Sequence, residues 1–72
     1  MKVKGKVKHL NMEGGFWGIV GDDGKEYRPV NMPEQLKKDG AAVEVRLRHV
    51  EEEMSLYMWG EAVEVTGFHT LG

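Results

Sequence analysis

The side chains able to do chemistry are few and scattered through the sequence. Ser55 is the only serine, cysteine is absent, and the three histidines His9, His49 and His69 are far apart in the chain. Two imidazoles brought together on neighbouring strands would still lack the third ligand that a zinc site needs, so His9 and His49 make a weak metal pair even if they approach. Asp22 and Asp23 precede a glycine, where short acidic side chains bond nearby backbone N–H groups and make turns. The run Glu51, Glu52, Glu53 lacks the spaced ligands of a calcium loop and reads as a solvated hairpin tip. No phosphate-binding loop or dinucleotide fingerprint occurs. The sequence therefore points to no enzyme, no cofactor and no metal.

The aromatic residues carry more promise. Phe16, Trp17, Tyr27, Tyr57 and Trp59, with Arg28 beside Tyr27, are the candidates for ligand binding. Rings contribute contact area at low entropic cost, and Arg28 adds a cation. Adjacent residues of a strand face opposite ways, so Phe16 and Trp17 cannot both enter one core. One of them must be exposed or covered from outside. The competing account is that most of these rings fill a small core, where each contributes about 2–3 kcal/mol.

The elements that position them follow from periodicity. Residues 13–27, EGGFWGIVGDDGKEY, read as a hairpin with strands Phe16–Val20 and Lys25–Val30 around a turn at Gly21–Gly24. Gly24 supplies the positive φ of a tight turn, and Gly18 leaves room for another element to approach. Pro29 has no ladder donor, which makes it an edge or an end of its strand. Before the hairpin, Val3, Gly5 and Val7 alternate with Lys2, Lys4, Lys6 and Lys8, the pattern of a half-buried strand. These lysines keep a strand soluble; the sharper reading is a basic stripe for an anionic ligand. After the hairpin, Asn31, Pro33 and Glu34 suit a helix start, with Lys37, Lys38 and Gly40 at its end. That helix of about two turns must dock through Met32 and Leu36 as a plug over one end of the sheet. Ala41–Val50 alternates again. Ser55–Thr66 reads as a last strand pair or one bent strand interrupted at Gly60, and Gly67–Gly72 as a frayed tail.

Strand, strand, strand, short helix, strand, strand is the connectivity of the OB-fold, a five-stranded Greek-key barrel. The expected fold is all-β: a single domain over residues 1–72, with one short helix between the third and fourth strands. An SH3-type barrel is the alternative, though it does not naturally place a capped helix there. Barrel closure suits a chain that has no cysteine to staple a thin core. The formal net charge of −2 gives no global attraction to nucleic acid or an anionic membrane, and no apolar run is long enough to span a bilayer. The chain reads as cytoplasmic; an exported or lipoprotein form whose signal had been removed would read the same way.

Gly5–Ile19, GKVKHLNMEGGFWGI, resembles the opening of a cold-shock domain through Gly5, Val7, Lys8, Asn11, Glu13, Gly15, Phe16 and Ile19. That resemblance implies an OB-fold that stacks single-stranded nucleic acid on aromatics. Here His9, Leu10 and Gly18 stand where such domains carry rings, and residues 26–30 depart from their third-strand motif. The longer segments EGGFWGIVGDDGKEYRPVNMPEQLKKDG and SLYMWGEAVEV are similar to a group of small bacterial and archaeal proteins, some of them lipoproteins, without established activity. That likeness implies the barrel and leaves its chemistry open. The expected function is an OB-type binding module that takes a protein, a peptide or another small partner through the 16–30 hairpin face. Single-stranded nucleic-acid binding is the alternative, disfavoured by the acidic balance. Oligomeric state is not legible.

Overall fold

Alternation produces five strands, and the computed structural model describes residues 1–12, 14–51 and 59–71. Among these described residues they are β1 (Lys2–Leu10), β2 (Phe16–Gly21), β3 (Glu26–Pro29), β4 (Ala42–His49) and β5 (Glu61–Thr70), with a single 3-10 turn at Glu34–Leu36. The strands close in the order β1-β2-β3-β5-β4, an OB-like barrel. All neighbours are antiparallel except β3 and β5, which run parallel from Tyr27↔Glu61 to Pro29↔Val63. Among the described residues no helix is long and apolar enough to cross a membrane.

The valines of β1 face inward as their spacing requires. Val3 and Val7 join Ile19, Tyr27, Val43, Val45, Leu47, Val63 and Val65 in one core. Leu36 completes it and is 0% exposed. Half-buried Met32 packs beside it, so the segment after β3 does plug the barrel through the two expected residues.

Its helix is shorter than expected. Pro33 is extended at ψ 142 and Lys37 leaves helical space at ψ 66, so only Glu34–Leu36 turns. A helical nucleus this short has almost no propagation to offset its cost, and the buried Leu36 holds it in place. Asn31 does not cap it. Its side-chain amide instead donates to the Val65 carbonyl at 3.1 Å and accepts from the Val65 N–H at 2.8 Å. In effect this side chain extends the β3–β5 ladder by one step.

β1 serves two neighbours at once. Gly5 pairs with Gly21 of β2 and with Val43 of β4. A Cβ on Gly5 would overlap the Val20 carbonyl oxygen and sit 2.8 Å from the Cα of Gly21. Both obstacles are backbone, so a methyl group there must push strands apart.

The hairpin turn is as read from its glycine. The Gly24 N–H reaches the Gly21 carbonyl at 2.9 Å, the Lys25 N–H bonds Asp23 Oδ1 at 3.0 Å, and Gly24 has φ 85.

The C-terminal expectation is overturned. The last described strand runs Glu61–Thr70, so residues 67–70 are paired with β4 from Arg46↔Gly67 to Val43↔Thr70 rather than frayed. Sequence alone hid this because Gly67 breaks the alternation; a register shift between Arg46 and Leu47 absorbs the break. Residues 55–58 of the expected Ser55–Thr66 strand, and Glu52 and Glu53 of the expected acidic tip, lie outside the described residues.

Gly5→Ala is expected to lower unfolding free energy by about 3 kcal/mol through overpacking against backbone. Gly24→Ala, which has open space but positive φ, loses about 1 kcal/mol. Urea unfolding of both variants measures the difference, and equal losses would contradict the geometry. In the same assay Asn31→Ala is expected to lose about 1–2 kcal/mol, since both Val65 backbone bonds lose their side-chain partner.

Candidate functional site

Phe16 and Trp17 make their ring contacts on different sides of the β2 end. Trp17 faces the barrel end, packs against the core and lies 4.8 Å from the His9 ring, tilted by 57°. Phe16 faces outward, where its ring centroid is 5.9 Å from that of Trp59. The Trp59 indole lies over Gly18: a Cβ there would collide with the six-membered ring and come within 3.3 Å of Leu10 Cδ1. Leu10 is opposite Phe16 in the β1–β2 ladder and is buried. Leu10, Phe16, Gly18 and Trp59 thus form a small apolar cluster on the outside of the barrel. This is the outside cover that the adjacency of Phe16 and Trp17 demands, and Gly18 is the close-approach point.

Tyr27 sits elsewhere. It is 3% exposed and belongs to the core, because its register opposite Ile19 points it inward. Arg28, next along, is 8% exposed. Tyr57 lies outside the described residues. The structure therefore brings Phe16 to Trp59, and Trp17 to His9, while Tyr27 supports the barrel from within.

A cleft opens where the β2–β3 ladder ends. Its pairs are Ile19↔Tyr27 and Val20↔Glu26. Beyond them Pro29 offers no donor to β2, and β3 turns to β5 instead. The resulting cleft of about 500 Å³ is lined by Phe16, Trp17, Arg28, Val30, Met32 and Lys37, among others. Val30 is exposed and Met32 half-buried. Lys37 Nζ is held 2.7 Å from Glu34 Oε1. Val30, Met32 and Lys37 were not singled out in the sequence as ligand contacts; the available signal was Pro29, which stops the ladder and leaves the next residues to line the gap.

Charge is arranged unevenly over the outer face. Lys2 and Lys4 lie 3.4 and 3.8 Å from the carboxylate of Glu44. Arg48 pairs with Glu64, and His49 with Glu61. Lys6 and Lys8 have no ion pair among the described residues, and they stand opposite Val20 and Gly18. The basic stripe is therefore half neutralised, and its free half borders the Trp59 cluster. Glu26, exposed and opposite Val20, adds a negative charge to the same region.

His9 and His49 do not meet. The β1–β4 register runs Lys2↔Arg46 to Lys6↔Ala42, which places the two histidines beyond opposite ends of the pairing. The His9 N–H bonds Asp39 Oδ1 at 2.9 Å, and the His49 ring bonds Glu61. Among the described residues no three histidine, aspartate or glutamate side chains converge as metal ligands.

In comparisons with protein families, curated proteins and solved structures, no family model, no protein and no structure matches the chain.

Gly18→Ala is expected to lift the Trp59 indole off β2 while leaving the barrel folded. The indole N–H resonance of Trp59 should shift and its fluorescence become more quenchable by acrylamide, measured with Trp17→Phe as background. An unchanged Trp59 signal would mean that the ring does not rest on Gly18.

Proposed function

We propose that this chain is a small OB-type binding module whose ligand is a short peptide segment of a partner protein, seated in the cleft at the end of the β2–β3 hairpin. The observation that carries the reading is that cleft. It is walled by Phe16, Trp17, Val30 and Met32, has a volume of about 500 Å³, and has Arg28 and Lys37 on its lining. An apolar pocket with few polar groups is the usual form of a recognition site. A cation among apolar walls, Lys37, favours an apolar side chain with a carboxylate beside it, because the attraction is stronger where water is partly excluded. The exchange of Lys37 with its own Glu34 leaves that cation available to a competing carboxylate at small cost, since an exposed ion pair contributes under about 1 kcal/mol.

A second reading has one specific observation in its favour. Lys6 and Lys8 border the Phe16–Trp59 cluster, so cations and rings share the outer face of β1 and β2. Single-stranded nucleic acid is bound by that combination. Glu26 and the formal net charge of −2 oppose it.

An NMR titration of isotope-labelled protein separates the two. Peptides carrying a Phe or Leu next to Asp or Glu are expected to shift the amides of Trp17, Val30, Met32 and Lys37, and the same peptides with Lys in place of the acid to bind less well. Trp17→Ala and Met32→Ala should each weaken the acidic peptide by about tenfold. Absence of shifts at about 1 mM peptide, an affinity of only about 4 kcal/mol, would overturn the cleft reading. Shifts at Lys6, Lys8 and Trp59 with an oligonucleotide, lost steeply as salt rises, would put nucleic acid in its place.

A further inference from the structure

The barrel is closed along only part of β5. On the side away from β4, β3 covers Glu61–Val63. The Val30 N–H then bonds the Val63 carbonyl at 2.8 Å, and the Asn31 side chain takes both backbone groups of Val65. Past that point β5 continues for five residues to Thr70 with no strand on this side among the described residues.

The direction of each backbone group follows from the register. Leu71 donates to the Ala42 carbonyl at 3.0 Å, so its N–H points toward β4. His69 and Gly67, opposite Glu44 and Arg46, share that direction by alternation. Phe68 and Thr70 therefore turn their N–H and C=O groups to the open side. Counting from the other end agrees: Val65 faces Asn31, Thr66 is the extra residue at the register shift, and the next open-side residue is Phe68.

Open edges are ordinarily guarded by charge, proline or a covering loop. This one has none of these among the described residues. Residues 65–71, VTGFHTL, include no Asp, Glu, Lys or Arg in a chain that is 31% charged. Phe68 is 43% exposed and Leu71 36%.

We propose that this edge pairs with the same edge of a second copy of the chain, β5 against β5, antiparallel about a two-fold axis at His69. In that register Phe68 of each chain faces Thr70 of the other, and each such pair exchanges both of its open N–H···O=C bonds. Gly67 faces Leu71, so an exposed leucine lies over a residue with no side chain to oppose it. Nothing charged is placed opposite its own copy, the usual obstacle to self-pairing. Self-complementarity about one axis is what an isologous dimer requires, and it distinguishes a second copy from an unrelated strand. The pairing joins the two barrels through a continuous β4-β5-β5-β4 sheet.

One strand pair buries less than the ~1,200 Å² of a standard stable complex, so half-association is expected at about 100 µM. Sedimentation velocity from about 10 µM to about 1 mM reads the mass directly. The sedimentation-derived mass should climb toward twice that of the chain, with amide exchange at Phe68 and Thr70 slowing over the same range. Thr70→Pro removes an open-side donor and no bond to β4, and should weaken association at least tenfold. His69→Lys keeps every backbone group, places two ammonium groups across the axis and should do the same; it decides the matter if the proline variant misfolds. Met32→Ala, in the cleft, should associate as the parent does. A monomer at about 1 mM with rapidly exchanging Phe68 and Thr70 amides would overturn the proposal. So would association that neither Thr70→Pro nor His69→Lys weakens, since a different surface would then hold the copies together.

Discussion

Everything in this barrel depends on β1 bonding two neighbours at the same residue. Gly5 faces Gly21 on one side and Val43 on the other, and the β1–β2 approach there leaves no space for a Cβ. Close approach at that point lets β1 curve enough to serve both halves of the sheet. Without it the five strands would form an open sheet with two edges and a half-wet core. A chain of 72 residues with no cysteine has little else to stabilise it. The inward valines of β1 and β4 then meet Leu36 at one end, and burial of that small set holds the closed form.

Closure also dictates where the surface features fall. β3 is four residues long and must leave β2 to reach β5, and Pro29 marks the change of partner. The gap left behind is the cleft. Trp17 lines it from β2 and Met32 from the plug segment, so the same side chains that seal the core also wall the cleft. On the outer face, the same β2 strand has Gly18 beneath Trp59. Two adjacent rings, Phe16 and Trp17, thus take different ring partners, Trp59 outside the barrel and His9 at its end, while both border the cleft between.

Period-two spacing made most of the fold legible. The alternating valines and lysines gave β1, the Asp-Gly turn gave the hairpin, and Pro29 gave the end of β3. Gly18 also signalled a close approach before its partner was known. What could not be read was anything that depends on a distant residue. Asn31 has the side chain of a helix cap, and only the arrival of Val65 turns it into a ladder partner. Tyr27 looks like a binding aromatic until its register opposite Ile19 places it in the core. His9 and His49 sit on paired strands, yet the register sends them to opposite ends. Gly67 hid the last four residues of β5 because a register shift resets alternation, and a local pattern cannot distinguish that from an unpaired tail.

The cleft and the open edge share an origin in unequal strand lengths. β5 has ten residues and its parallel partner β3 has four. A parallel pair cannot be lengthened from β3, since Pro29 ends it and the chain must then cross the barrel mouth to insert Leu36. Asn31 carries the pairing one step further with a side chain, and there the backbone departs. On one side of that departure β2 has lost its neighbour, which opens the cleft. On the other side β5 has lost its own, which leaves the outward backbone groups of Phe68 and Thr70 without a strand partner among the described residues. Lengthening β3 would close both at once and leave Leu36 unable to reach the core. The open surfaces are therefore the geometric consequence of plugging a short barrel with the connection that follows its shortest strand.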